Sequence, residues 1–176
     1  MKKESKSMKN NRGFTLVEAM VTILLFTVLF GATLMILLTG TDAWEINDAQ
    51  VELQQELRKA MEWMKEDLRQ AGKGSIINVP VDGNWYPSAT FNVASGAVGG
   101  KIVWSSDTIQ YATVGEQLQR TEGTQNRVVA QRIQSCQFRR QVGNSDVIKI
   151  LLLVSKDTFT GQTLTDGLSF EVQLRN

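Results

Sequence analysis

The side chains of this chain that could do chemistry form a short inventory: one cysteine, Cys136, no histidine, and 18 Asp plus Glu against 19 Lys plus Arg. Without histidine, a Ser-His-Asp triad, a Cys-His pair and a His-containing zinc site are all excluded. A lone cysteine cannot close an internal disulfide, so cysteine usage says nothing of the redox compartment. Cys136 sits between Ser and Gln in a strand-like segment, where a small buried side chain is expected rather than a nucleophile. Gly96 and Gly100-Lys101 are separated by three residues, with Ile102 following, so the four intervening residues and the magnesium-binding Ser/Thr of a phosphate loop are missing. Asp82, Asp107, Asp146, Asp157 and Asp166 are scattered, without the alternation of a calcium loop, and no spacing picks out a carboxylate pair for glycoside hydrolysis. No catalytic residue, metal site or cofactor is expected. Arg127, Arg132, Arg139 and Arg140, with Phe138 among them, are the one basic stretch outside the amino terminus. Arg139 and Arg140 are the candidates there for phosphate contact with DNA. Beyond Gly72 ten bases face eight acids, far short of the usual basicity of a nucleic-acid-binding domain, so nucleic acid is not the expected partner.

Glu18 is different, because of where it stands. It opens a run, Ala19 to Thr41, with no charged side chain. As a helix that run rises about 35 Å, enough for a hydrocarbon core of roughly 30 Å. A buried helix of a soluble protein would need more core than the 135 residues after the run can supply. Five bases (Lys2, Lys3, Lys6, Lys9, Arg12) precede the run, whereas Asp42, Glu45 and Asp48 follow it ahead of the first base, Arg58. Positive flanks stay in the cytoplasm, so the carboxy-terminal bulk is expected outside it. The run is longer than a secretory apolar segment and ends in Leu-Leu-Thr-Gly-Thr, unlike a signal-peptidase site. Trp44 fits the interfacial belt beyond a span. A carboxylate at the mouth of such a segment is either an interfacial residue stabilised by the helix dipole or a functional group.

Arg12-Gly13-Phe14-Thr15-Leu16-Val17-Glu18 closely resembles the processing signature of type IV prepilins and type II secretion pseudopilins. The resemblance implies that the basic leader 1–13 is cut between Gly13 and Phe14 by a prepilin peptidase/methyltransferase, which also N-methylates Phe14. It further implies that Glu18 pairs with the new amino terminus of a neighbouring subunit and sets the axial register of a filament. Implied partners are other major and minor pilins or pseudopilins and an inner-membrane assembly platform. The implied location is the inner membrane, single-pass, with a periplasmic carboxy-terminal domain, and then the pilus or pseudopilus.

The elements that must position this chemistry follow from periodicity. Ile46, Ala49, Leu53, Leu57, Ala60, Met64, Leu68 and Ala71 recur every three or four residues, Gly72 supplies a stop, and no proline precedes Pro80. Phe14 to Ala71 is therefore expected as one helix, its part 14–41 in the membrane or filament core and 42–71 amphipathic. Gly31 is its weak point, costing about 1 kcal/mol relative to Ala. The absence of a helix-bending proline departs from many major pilins and favours a minor one. From 72 to 176 the composition turns β-rich. Strands are expected over Lys101–Trp104, Thr108–Thr113, Glu116–Thr121, Arg127–Val129, Ser135–Val142, Val147–Ser155 and Leu168–Arg175, with 95–100 as a loop and Ile133 on a short helical turn. Ile148 to Val154 reads as a central strand buried on both faces. The fold class expected is α+β, pilin-like, a long amino-terminal helix packed on an antiparallel sheet. Leu118-Gln119-Arg120, Cys136-Gln137-Phe138, the VIKILLLV strand and the closing FEVQLRN are similar to J-type minor pseudopilins and W-type minor pilins alike. Expected on this basis is a minor pilin or pseudopilin that is not an enzyme. The alternative is an anchored exported binding module, a DNA-uptake receptor or adhesin.

Overall fold

A computed structural model describes residues 15–175; Gly13, Phe14 and the leader lie outside the described residues. The α+β class expected from the sequence is the one observed, one long apolar helix followed by antiparallel sheets. Helix α1 spans Leu16–Gln70. Thr15 caps it, its Oγ1 accepting from the Glu18 N–H at 3.3 Å, which fits the first half of a Thr-x-x-Glu capping box. An acid in the first turn (Glu18) and a base in the last (Arg69) suit the helix dipole.

The chain forms two compact units whose boundary, Trp44/Glu45, falls within α1. In the first, large apolar side chains from Leu16 to Leu38 are 43% to 80% exposed. All five threonines of the uncharged run turn their hydroxyls onto their own helix, Thr22, Thr27, Thr33 and Thr39 donating to the carbonyl four residues back and Thr41 to Leu38, at 2.7 to 2.9 Å. Each polar group is thus satisfied without water, as a hydrocarbon environment requires.

In the second unit α1 buries Ala49, Leu53, Leu57, Ala60, Met64 and Leu68 along one face. That face joins two sheets in a single core. Strands β1 (Ala71–Ile76), β2 (Ser88–Val98), β3 (Lys101–Val114), β4 (Gln117–Glu122) and β5 (Gln125–Gln131) form an antiparallel meander in chain order, contributing Phe91, Ile109, Tyr111 and Leu118. Strands β6 (Ile133–Gln141), β7 (Asn144–Asp157) and β8 (Thr163–Gln173) form the second sheet, contributing Phe138, Ile148, Ile150 and Leu152. A parallel bridge between Gly72 and Arg175 and an antiparallel one between Tyr86 and Phe138 join the two.

Several expectations are corrected. The helix ends at Gln70, and Ala71-Gly72 opens strand β1. Gly72 is needed for space, since a Cβ there would overlap Cη2 and Cζ2 of the Trp104 indole. Lys101–Trp104 and Thr108–Thr113 are one strand, β3. Of the expected loop, only Gly99 and Gly100 turn, at φ +59° and +77°, as a two-residue hairpin demands of both positions; Ser95 to Val98 belong to β2. Ile133 begins β6, and Arg132 at φ +59° makes the corner. Strand β7 is central in its sheet, but Ile148, Ile150, Leu152 and Val154 are buried while Lys149, Leu151 and Leu153 are half-buried. It therefore has one core face, as half-covered antiparallel sheets do.

Candidate functional site

Glu18 stands in the first turn of α1 and is exposed. Its N–H is held by Thr15 and its carbonyl by Thr22 Oγ1 at 2.7 Å. Its carboxylate has no hydrogen-bond or ion-pair partner among the described residues. Leu16, Val17 and Met20 around it are 65% to 80% exposed, and the only ring pair along the run, among the described residues, is the stacked Phe26–Phe30 at 6.1 Å. The geometry is an apolar rod end bearing one anion. An apolar surface of this extent marks a lipid or protein contact, and within either one an unpaired carboxylate is strongly penalised until a cation meets it.

The basic stretch is used inside the domain. Arg140 is 6% exposed. Its guanidinium donates to the carbonyls of Ser145 (2.8 Å), Lys73 (2.9 Å) and Val79 (3.4 Å), and burial lowers its pKa against the opposing pull of Asp146. Arg139 lies over the Trp85 ring at 4.7 Å, and Arg127 over Trp63 at 4.5 Å. Arg132 donates to Glu52 Oε1 at 2.6 Å. Glu52 also accepts from Lys156. These bonds, the Lys156 one foremost, hold the Glu52 carboxyl below its usual range although burial opposes them.

Sequence reasoning missed a polar cluster between helix and sheet. Asp67, 8% exposed, accepts from Tyr111 Oη at 2.6 Å and from Arg120 Nε at 2.6 Å and Nη2 at 3.4 Å. Arg120 Nη1 reaches Glu122 at 2.6 Å. Burial, with Asp67 beside it, raises the Tyr111 phenol. Burial alone would lower Arg120, but its bonds to Asp67 and Glu122 outweigh that and raise it. An acid between Met64 and Leu68 on the apolar face of the helix was the available signal. The cluster is closed and fully engaged, so it locks structure. Cys136 is buried, and desolvation pushes its thiol up, which disfavours the reactive thiolate.

Residues 8–34 match the model of the prokaryotic N-terminal methylation motif. The match takes in Gly13, Phe14 and Glu18. Comparison with curated proteins gives no match.

Proposed function

We propose that this chain, whose amino-terminal motif and long apolar helix fit a type IV prepilin-like protein anchored in a membrane, is a minor pilin or pseudopilin. The motif implies processing by a prepilin peptidase and assembly with other pilins. On this reading the leader is cut between Gly13 and Phe14, Phe14 is N-methylated, and the carboxy-terminal unit faces the periplasm. The subunit then enters the tip or short filament of a type IV pilus or type II secretion machine through an inner-membrane assembly platform. The observation that carries the reading is the uncovered apolar surface of α1 beginning at a single acid, Glu18.

The mechanism is assembly. Cleavage creates an α-amino group with an ordinary pKa near 7.7–8.0, a cation four residues from Glu18. As helices leave the bilayer and pack together, Glu18 meets the amine of a neighbour. A helix displaced along the axis leaves both charges buried and unpaired, a penalty of about 3–5 kcal/mol that selects the register. The binding-module alternative draws less support from the basic stretch, since Arg132 and Arg140 are hydrogen-bonded within the domain, while Arg127 and Arg139 lie over Trp63 and Trp85.

Mass spectrometry of the assembled protein is expected to find a chain beginning at N-methylated Phe14. Glu18→Ala is expected to insert in the membrane yet fail to enter filaments. An assembled chain that still begins at Met1, or Glu18→Ala incorporation at wild-type levels, refutes the reading.

A further inference from the structure

The three-stranded sheet carries two cations that assembly through α1 leaves without a task. Along β6 and β7, Cys136, Phe138, Arg140, Ile148, Ile150 and Leu152 turn to the core, so Arg139 and Lys149 stand on the other face. They are direct cross-strand partners, and Lys149 is in turn the partner of Glu171 on β8. Like charges placed opposite one another across strands are destabilising, and a single acid serves this pair. Glu171 Oε1 lies 3.5 Å from Lys149 Nζ, with the acid 59% exposed. Arg139 has no ion pair among the described residues.

Arg139 is short of acceptors as well. Its Nε is buried with no hydrogen-bond partner among the described residues, where the other such side-chain atom is the neutral Thr113 Oγ1. Buried polar atoms are nearly always paired, and one on a charged group is the costliest to leave unpaired. The Trp85 ring, over which the guanidinium lies at 4.7 Å, is fixed beside it by the Tyr86–Phe138 bridge, whose two hydrogen bonds are both 2.8 Å. An indole face attracts the charge, but the only polar atom of the ring is a donor. The stack therefore steadies Arg139 and leaves that N–H unspent.

A recess of about 30 Å³ opens at this point, lined by Arg139, Gln141, Asn144, Val147, Lys149 and Glu171. A water-sized group needs about 10–15 Å³ of such space, so two fit, as the oxygens of one carboxylate do, whereas the four of a phosphate do not. Guanidinium groups match carboxylates in shape as well as charge. We propose that this recess binds a carboxylate, with Arg139 as its main donor and Lys149 as the second cation. Glu171 is the internal competitor, holding Lys149 when no ligand is bound. The carboxylate belongs either to a small acid or to an Asp or Glu side chain of another protein. The site lies wholly within the β-rich unit and is independent of the role given to Glu18.

The test follows the arginine Nε–H resonances of the full, nitrogen-15-labelled chain in detergent micelles, with Arg139→Lys identifying the signal of Arg139. Sodium acetate, titrated against sodium chloride at constant ionic strength, is expected to shift that signal saturably. Lys149→Met should weaken acetate binding several-fold, and Glu171→Gln should tighten it several-fold because the competitor is gone. Both side chains reach solvent, at 38% and 59% exposure, and an unchanged remainder of the spectrum shows that each variant keeps the fold. Acetyl-Gly-Glu-Gly-amide, whose only carboxylate is a side chain, distinguishes the sources: binding tighter than acetate assigns the site to a protein acid, binding no tighter to a small one. A shift no larger than chloride produces, or an affinity unmoved by Glu171→Gln, overturns the inference. Inorganic phosphate binding more tightly than acetate overturns it too.

Discussion

Asp67→Ala tests the reading of the buried cluster as the lock between α1 and the five-stranded sheet. The substitution removes the acceptor of three contacts, from Tyr111 Oη and from two nitrogens of Arg120. Arg120 is left with its side chain 13% exposed and only Glu122 to oppose it. Breaking a buried pair by removing one partner costs about 3–5 kcal/mol, and an orphaned hydroxyl about 1–3 kcal/mol. The retained Glu122 contact and solvent entry into the gap offset part of that, so a loss of about 3 kcal/mol is expected. With a urea slope of about 1.5–2.5 kcal/mol/M, the midpoint falls by about 1–2 M. The assay is urea unfolding of the full chain in detergent, followed by near-ultraviolet circular dichroism. Arg120→Met in the Asp67→Ala background is expected to recover much of the loss, since the stranded cation is then gone. A midpoint shift corresponding to less than about 1 kcal/mol, or losses that simply add in the double variant, would refute the lock.

Two further outcomes bear on the same domain. Gly72→Ala should destabilise it by about 1–3 kcal/mol, as overpacking does, because the new methyl overlaps the Trp104 indole; thermal unfolding with tryptophan fluorescence reads both the loss and the altered environment of that ring. The contribution of Glu52, whose folded pKa is depressed, is fully present above its unfolded value near 4.3 and is lost as pH falls through the folded one. Wild type should therefore lose more stability than Glu52→Gln in an acid titration of the urea midpoint, and parallel profiles would contradict this.

The helix was legible because two simple signals coincide on it, a charge-free run and then a three-to-four spacing of apolar residues that burial matches from Ala49 to Leu68. Strands β1 and β2 were not, since Ala-Gly-Lys-Gly-Ser-Ile has a loop's composition, and its place is set by pairing with β2 and by the Gly72–Arg175 bridge, partners far along the chain. The two-faced reading of β7 failed because a run of aliphatic residues looks alike whether one face or both are covered. At the candidate site, Glu18 stood out as the acid that opens the apolar run on its basic-flanked side. Arg140 was misleading, as sequence shows a guanidinium but not the three carbonyls that surround it. Asp67 was visible as a polar intruder on an apolar face, although its partners Tyr111 and Arg120 lie 44 and 53 residues away.

The threonine hydroxyls of α1 have a consequence for movement. Each is closed onto a carbonyl of its own helix, so none would have to change partners if the segment passed from lipid to a bundle of similar helices, as proposed. On the proposed assembly reading, withdrawal from the bilayer is an exchange of acyl chains for aliphatic neighbours, nearly level in free energy along most of its length. The same reading concentrates the step that distinguishes one resting position from another at the end where Glu18 stands.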